Sequence, residues 1–314
     1  MTLLTADGGF VGGVPPETWS LIAACCEDYQ AQAQLRATSR GLRALLDTPE
    51  IWRITGAGVV DKFGQLAALG LLDPIQWLAA VFAITPGEVR ASDNWPLRYA
   101  CANGHLEVAR WLAQTFELTA EDARANNNWA LGHACANGHL EVAQWLAATF
   151  ATTPGDARAN DNWALCHACA NGHLEVAQWL VQTFALTVED ARADDNWALR
   201  AACANGHLEA VRWLVQTFAL TVEDARTDGN QALCWACAKG HLEIAQWLAH
   251  EFKLTTEDAR SSGNYALREA CENDHIKVAQ WLVQQFELTA EDARAEDNYA
   301  LRWSCANGHL MVAQ

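Results

Sequence analysis

A stretch of 19 residues near the middle of the chain decides the fold: Asn162-Trp-Ala-Leu-Cys-His-Ala-Cys-Ala-Asn-Gly-His-Leu-Glu-Val-Ala-Gln-Trp-Leu180. Close copies recur every 34 residues, and they start at Asn94, Asn128, Asn196, Asn230, Asn264 and Asn298. A fixed period of this length is typical of repeat proteins, in which each unit buries its apolar face against its neighbours. We therefore divide the chain into six complete repeats (93–296), preceded by a degenerate repeat (57–92) and followed by a truncated one (297–314).

Each repeat begins with a predicted pair of helices joined by a tight turn. Asn162 is expected to cap the first helix, because its side-chain oxygen can accept an unpaired backbone N–H. Gly172 is expected to end that helix, because glycine adopts the left-handed conformation at little cost. The sixth repeat has Asp274 at the glycine position, so we expect a looser or strained turn there. The second helix, for example from Leu106 to Phe116, carries a broad apolar stripe that can touch both flanking repeats.

A short third helix is predicted in the segment that joins successive repeats. Thr187 is followed three residues later by Asp190, which is a spacing like that of a capping box. Such a start predicts a helix of one to two turns. The sequence therefore indicates an all-α fold.

The repeat resembles the ankyrin repeat, on the residues from Ala130 to Ala143 (Ala-Leu-Gly-His-Ala-Cys-Ala-Asn-Gly-His-Leu-Glu-Val-Ala). The resemblance covers about 59–314 and implies an α-solenoid of about seven to eight repeats, with the first helices on a concave, protein-binding face. Two features depart from the family. Trp95-Pro-Leu-Arg98 is the nearest approach to the usual Thr-Pro-Leu-His start, and the Leu-Thr-x-Glu-Asp-Ala-Arg segment replaces the usual β-hairpin finger. The array is similar to those of large DNA viruses and their amoebal hosts.

Two neighbouring columns of the first helix vary from repeat to repeat, whereas the other columns stay nearly constant. Constant columns build the fold, so variable columns are free to contact a partner. Aromatic residues and arginine, which are enriched at interface hot spots, recur in both columns. We predict a partner-binding surface made of Arg98, Tyr99, His133, His167, Arg200, Trp235, Arg268 and Trp303. The alternative is tolerated drift on a solvated face.

Histidine and cysteine recur in the columns that contain His105 and Cys101. We expect the histidines to bond neighbouring backbone and the cysteines to be small buried residues, because stacked helices roughly 8–10 Å apart hold cysteines too far apart for a disulfide. Cys166 and Cys169 form a Cys-x-x-Cys pair without a second pair in the same repeat, whereas structural zinc needs four ligands. We predict no metal, no cofactor and no catalytic residue, and therefore a non-enzymatic binding protein.

Residues 14–56 do not fit the repeat, and residues 1–13 are expected to be a flexible N-terminus. The order of Val14-Pro-Pro-Glu17, Ile22, Thr38-Ser-Arg40 and Glu50-Ile-Trp52 resembles an F-box, although Cys25-Cys26 stands where an aromatic–Leu pair is usual. This resemblance implies that residues 14–53 form a small helical domain that docks on the Skp-type adaptor of a cullin–RING ubiquitin ligase. The adaptor-binding residues would be Pro15, Pro16, Glu17, Ile22, Leu35 and Trp52. The alternative is a cap that covers the end of the solenoid.

The chain is strongly acidic, with a formal net charge of −17. Such a charge repels phosphate groups, which argues against nucleic acid or an anionic membrane as the main partner. No signal peptide or spanning segment is evident, so a cytoplasmic or nuclear location is expected, in the host cytoplasm if the protein is viral. The function that we expect is a protein-interaction scaffold acting as the substrate receptor of a ubiquitin ligase, with a plain ankyrin-repeat binding protein as the alternative.

Overall fold

The computed structural model describes residues 59–309, and these residues contain α-helices and no strand. The chain divides into two compact units, Met1–Ala130 and Leu131–Gln314. Three parts of the chain lie outside the described residues: the predicted flexible N-terminus, the F-box-like segment with its six predicted adaptor-binding residues, and the last five residues. Within 59–309, no helix is both long enough and apolar enough to cross a membrane.

The described part of the first unit holds two complete helix pairs and one short helix. In chain order its helices are α1 (Val59–Ala68), α2 (Leu72–Phe82), α3 (Pro86–Ala102), α4 (Leu106–Thr115) and α5 (Ala120–Ala123). The next helix, α6 (Ala125–Ala136), contains the point at which the two units divide.

The second unit repeats one pattern, in which a first helix of 12 residues, a second helix of 10 or 11 and a helix of 4 follow one another. Its helices after α6 are α7 (Leu140–Thr149), α8 (Pro154–Ala157), α9 (Ala159–Ala170), α10 (Leu174–Phe184), α11 (Val188–Ala191), α12 (Ala193–Ala204), α13 (Leu208–Phe218), α14 (Val222–Ala225), α15 (Thr227–Ala238), α16 (Leu242–Glu251), α17 (Thr256–Ala259), α18 (Ser261–Glu272), α19 (Ile276–Gln285), α20 (Ala290–Ala293) and α21 (Ala295–Ala306). The predicted two-helix unit and its short third helix are confirmed.

The core of each repeat comes from one face of each helix in the pair. In α10, Val176, Ala177, Leu180 and Phe184 are buried, at the spacing of one helix face. Small residues of the first helix, such as Ala168 and Cys169 in α9, are buried as well and allow close packing of the helices. Each fully buried leucine of this kind stabilises the fold by about 1.5–3 kcal/mol relative to an exposed one.

The glycine that ends each first helix is required by backbone conformation and by a neighbouring ring. Gly172 has φ +74°, and a Cβ built on it would lie 2.5 Å from Nδ1 of His207 in the next repeat. Asp274 adopts the same left-handed conformation, with φ 61°. Its N–H bond to the Cys271 carbonyl is 3.4 Å long, compared with 3.1 Å for Gly240 to Cys237, so the expected looser turn is observed.

The asparagine column does not cap the first helix as we predicted. Asn162 and the two residues before it, Asn160 and Asp161, are all left-handed, with φ values of 60°, 51° and 53°. Five members of this column have a buried side-chain Oδ1 atom that accepts no hydrogen bond within residues 59–309: Asn94, Asn162, Asn196, Asn230 and Asn264. The side-chain amide donates across repeats instead, as from Asn94 to Asp122 at 3.2 Å. The run of Asn, Asp and Gly before the first helix is therefore a left-handed turn, which these residue types tolerate.

The short third helix connects neighbouring repeats through its aspartate. In α14, Thr221 and Asp224 form a capping box in which Asp224 accepts the Thr221 backbone N–H at 2.8 Å. Asp224 also accepts hydrogen bonds from Arg192, at the end of the preceding short helix, at 2.7 and 2.9 Å. The same ion pair recurs at Arg90–Asp122, Arg158–Asp190, Arg226–Asp258 and Arg260–Asp292. The segment in place of the β-hairpin finger is thus a clamp between repeats.

Candidate protein-binding surface

Half-buried aromatic side chains recur on the first helices, in a nearly constant column that the repeat pattern alone indicates to be structural. The column directly after the asparagine contains Trp95, Trp129, Trp163, Trp197, Gln231, Tyr265 and Tyr299, and every one of these side chains is half-buried. Each lies four residues before a member of the second variable column, which places both on one face of the helix. The sequence signal that could have identified this column is the recurrence of Trp or Tyr directly after the asparagine.

In the second unit, two side chains of this column and two of the second variable column form a continuous stack. We call this stack the His–Trp ladder (His133, Trp163, His167 and Trp197). The ring centroids of His133 and Trp163 are 4.4 Å apart, those of Trp163 and His167 are 3.9 Å apart, and those of His167 and Trp197 are 4.5 Å apart. The interplanar angles are between 20° and 29°, so the rings are stacked. The ladder combines contacts within a helix and between repeats, and it brings together the predicted contact residues His133 and His167.

His167 is held in one orientation by the helix that carries it. Its Nδ1 donates a hydrogen bond to the Trp163 carbonyl at 3.1 Å. Partial burial lowers the pKa of His167, and the bond to the Trp163 carbonyl only partly offsets this effect. The ring is therefore neutral at pH 7, which suits stacking between two indoles.

Gly132 gives the ladder room at its start. A Cβ on Gly132 would lie 2.9 Å from the Trp163 ring, so a side chain at this position of the first variable column would displace the tryptophan. At this variable position, the aromatic ring of the next repeat therefore limits the size of the side chain. The size of the residue at position 132 and the size of the ring at position 163 are thus linked.

The first unit has a smaller aromatic cluster on the same face of its first helix. Tyr99 packs between Trp95 and Trp129, with centroids 5.5 and 5.0 Å apart, and Arg98 lies 5.1 Å over the Trp129 ring. Tyr99 is 37% exposed. Both predicted contact residues of this unit therefore lie together, and Tyr99 is the more accessible.

Arg200 does not have the accessible position that we predicted for it. Its side chain is buried, donates to the Asp194 carbonyl at 2.8 Å and to Asp228 at 3.2 Å, and also donates to Gln231. The guanidinium lies 5.5 Å over the ring of Trp235, a second predicted contact residue. These bonds satisfy Arg200 inside the protein, so its position supports a role in holding successive repeats together and not a direct contact with a partner.

The remaining predicted residues lie toward the end of the described chain. Arg268 is 4.7 Å over the Tyr299 ring, a cation–π contact between repeats, and it donates to the Ser262 carbonyl at 3.2 Å. Trp303 is 39% exposed and contacts Tyr299 at a centroid distance of 5.9 Å. Trp303 is consequently the predicted tryptophan that is most open to a partner.

The left-handed turns place carboxylates at the start of the first helices. These turn residues are exposed and include Asp161, Asp194, Asp195, Asp228, Glu296 and Asp297. Burial raises the pKa of the Cys166 thiol to about 12, and the charges of Asp194 and Asp161 add to this effect. Along the chain, Asp161 and Asp195 each stand two residues before a tryptophan of the ladder, Trp163 and Trp197.

The histidine and cysteine columns have structural positions. His105 and His241 each hydrogen bond through Nε2 to a carbonyl of the preceding repeat, Ala68 at 3.1 Å and Ala204 at 3.0 Å. The described cysteines are free thiols, and all are buried except Cys305. Among residues 59–309, no group of three or more His, Cys, Asp or Glu side chains is placed to hold a metal ion.

The repeat pattern has a recognised counterpart among protein families. A family model described as ankyrin repeats (3 copies) matches residues 65–155, 97–190, 165–258 and 199–292, so the matches together run from 65 to 292. No curated protein shows significant similarity to the chain. The matches and the helix pairs confirm the predicted all-α fold of ankyrin-type repeats, which serves as a scaffold for protein–protein interaction. The chain belongs to the ankyrin-repeat family.

Proposed function

We propose that the chain binds its protein partner through the face of the first helices, and that the His–Trp ladder is the centre of this contact. The observation that carries the proposal is the ladder itself, in which four half-buried rings are stacked and held in place before any partner arrives. Rigid aromatic side chains lose little conformational entropy on binding, and they are enriched at interface hot spots.

The test compares two double variants of the full chain. His167→Ala with Trp197→Ala removes half of the ladder, whereas Gln182→Ala with Thr183→Ala changes two exposed positions of a second helix. Both are expressed with an affinity tag in the same cells, and the proteins that they capture are quantified. A partner that is captured by the wild type and the control but lost by the ladder variant supports the proposal. Equal capture by the ladder variant contradicts it, provided that circular dichroism shows both variants to be folded.

We further propose that the scaffold is the substrate receptor of a cullin–RING ubiquitin ligase. The support is the F-box-like order of Val14-Pro-Pro-Glu17, Ile22 and Glu50-Ile-Trp52 in front of a protein-binding repeat array. In this arrangement the N-terminal segment docks on a Skp-type adaptor, while the repeats hold the protein to be modified. A cytoplasmic or nuclear location suits this role, and in a virus-infected cell it would be the host cytoplasm.

The ligase role has its own test, which does not depend on the repeats. The full chain is mixed with a purified Skp-type adaptor, and binding is measured by calorimetry for the wild type and for Pro16→Ala, Ile22→Ala and Trp52→Ala. Gln32→Ala, in the same segment but outside the motif, is the control. Loss of binding in the three motif variants alone supports the receptor role. No binding by the wild type favours the alternative, a plain ankyrin-repeat binding protein whose N-terminal segment caps the array.

A further inference from the structure

We propose that an apolar groove in the last described repeats binds an amphipathic helix of a partner protein, together with an aspartate that follows this helix. We call it the end groove; it is formed by α18, α19, α20 and α21, and its lining includes Leu267, Val283, Arg294, Asn298 and Leu301. Its volume is about 510 Å³. The end groove shares no residue with the His–Trp ladder, so this inference does not depend on the proposed function.

The end groove exposes apolar side chains whose equivalents in earlier repeats are buried. Leu301 is 49% exposed, whereas Leu267 and Leu233, at the same position one and two repeats earlier, are 3% and 1% exposed. Val283 is 42% exposed, whereas Val215, two repeats earlier, is 4% exposed. Apolar surface of this kind favours a partner that removes it from water.

The preceding repeats show which element covers these positions. The second helix α16 packs against α15, the first helix of its own repeat, and against α13, the second helix of the repeat before. The end groove is lined by α21 and α19, which are the corresponding first and second helices. It therefore fits a helix with the apolar face of a second helix, which is a common way for a groove to recognise a partner segment.

The apolar face of such a helix can be read from α13. Its buried residues are Ala210, Val211, Leu214, Val215 and Phe218. These positions follow one another at the spacing of one helix face. The partner helix is therefore expected to carry small or branched apolar residues at the same spacing.

Two polar side chains of the end groove define the charge of the partner segment. Arg294 and Asn298 occupy the columns of Arg192 and Asn196, which both donate to Asp224, at 2.7 Å from Nε and 3.5 Å from Nδ2. Both Arg294 and Asn298 are exposed, and their side chains make no hydrogen bond or ion pair within residues 59–309. The end groove therefore has two donors that are positioned for a carboxylate.

The order of these groups gives the pattern of the occupant. Asp224 stands six residues after Phe218, the last buried residue of α13. The partner segment that fits is thus an amphipathic helix with an aspartate six residues after its last apolar position. An apolar face without this aspartate would leave Arg294 and Asn298 without an acceptor.

The experiment uses the full chain and a fluorescein-labelled synthetic peptide with the sequence of residues 208–226, and fluorescence anisotropy measures binding. One matched peptide carries Val211→Ser, Leu214→Ser and Phe218→Ser, and the other carries Asp224→Asn. We expect saturable binding of the unchanged peptide and no measurable binding of the serine peptide. The asparagine peptide should bind about tenfold more weakly, because charge-assisted hydrogen bonds are lost.

Three variants of the protein locate the site. Leu301→Asp places a charge in the apolar lining and should weaken peptide binding by at least about tenfold. Arg294→Ala should weaken it by about tenfold. Arg302→Ala removes the same charge from an exposed position of α21 outside the groove lining, and it should leave the affinity nearly unchanged.

A combined measurement tests whether Arg294 and the aspartate contact each other. Arg294→Ala should bind the unchanged peptide and the asparagine peptide equally well, because the contact is already lost in this variant. No saturable binding by the wild type, or equal losses in Arg294→Ala and Arg302→Ala, would overturn the inference. Since Arg294 is exposed, these comparisons remain decisive even if Leu301→Asp unfolds the protein.

Two other occupants of the end groove would be recognised in the same experiments. Wild-type dimers in sedimentation that are absent in Leu301→Asp would assign the groove to a second copy of the chain. Tighter peptide binding by Leu310→Asp with Val312→Asp would assign it to residues 310–314 of the same chain. Either result overturns a partner helix as the occupant.

Discussion

Asp224 accepts two hydrogen bonds from the guanidinium of Arg192, at 2.7 Å from Nε and 2.9 Å from Nη2, although the two residues are 32 positions apart. The same carboxylate caps its own short helix by accepting the Thr221 backbone N–H at 2.8 Å. One side chain therefore fixes a helix start and joins two repeats. The pKa of Asp224 is lowered to about 2, chiefly because Arg192 donates to its charged form.

Replacing Asp224 by alanine should destabilise the second unit by about 2–3 kcal/mol, because the change removes a helix cap and charge-assisted hydrogen bonds. Urea unfolding at pH 7, followed by circular dichroism, measures the loss. Arg192→Ala should cost clearly less than Asp224→Ala, since solvent reaches the guanidinium and screens the pair. Glu223→Ala, an exposed neighbour on the same helix, is the control and should have almost no effect. Similar losses for Asp224→Ala and Glu223→Ala would mean that the clamp contributes nothing.

The fold could be predicted from sequence wherever the signal lies within one repeat. Thr187 and Asp190 identify the short helix, because a capping box is local. The bond from Arg158 to Asp190 could not be predicted, since it depends on how far one repeat is displaced and rotated relative to the next. The prediction for Asn162 failed for a different reason. Asn is favoured both at helix caps and in left-handed turns, and the preceding Asn160-Asp161 pair was the clue to the second.

The candidate site could be predicted only in part for the same reason. Tyr99 and Trp303, predicted from their variability, are indeed exposed. Arg200 is buried because Asp228 and Gln231 of the next repeat bind it, which no single repeat reveals. Trp163 could not be singled out from the sequence, because its column is nearly constant and near-constancy is also typical of a purely structural position. A half-buried aromatic column can serve packing and recognition together.

Gly172→Ala should lower the free energy of unfolding by about 2 kcal/mol or more. The left-handed backbone alone costs an L-residue about 1–2 kcal/mol, and the added methyl group would lie 2.5 Å from the His207 ring. Gly155→Ala is a matched control, because its nearest neighbour would be 3.6 Å away and its φ is not left-handed. This control should be neutral or slightly stabilising, since alanine is the better helix former. Chemical denaturation of both variants decides the matter, and equal destabilisation would show that the His–Gly contact is unimportant.

Acidification from pH 7.5 to 5 should destabilise the second unit through its histidine column. Burial lowers the pKa of His173 and of His207, and neighbouring histidines lower them further. A histidine whose pKa is lower in the folded state binds protons more readily when unfolded, so its contribution to stability is complete above the ordinary value of 6.5 and is lost as the pH falls below it. The lowered pKa of Asp224 acts only in more acidic solution, below its ordinary value of 3.8.

The measurement that tests this pH effect is the urea midpoint at pH 7.5 and at pH 5. His207→Asn should reduce the difference between the two midpoints, because it removes one of the groups that resist protonation. His250→Asn changes an exposed residue near the end of a second helix and should leave the difference unchanged. A wild-type midpoint that does not move between the two pH values would contradict the electrostatic argument.

Trp303→Ala and Trp235→Ala should both weaken partner binding, but they should differ in their effect on stability. Trp303 is 39% exposed, so its removal should change the free energy of unfolding by less than about 0.5 kcal/mol. Trp235 lies under the buried guanidinium of Arg200, and its removal should cost about 1 kcal/mol or more because that cation–π contact is lost. Parallel measurement of unfolding and of partner capture separates the two effects. If Trp303→Ala unfolds the protein as easily as Trp235→Ala does, or if it leaves partner capture unchanged, the exposed tryptophan is not part of the binding face.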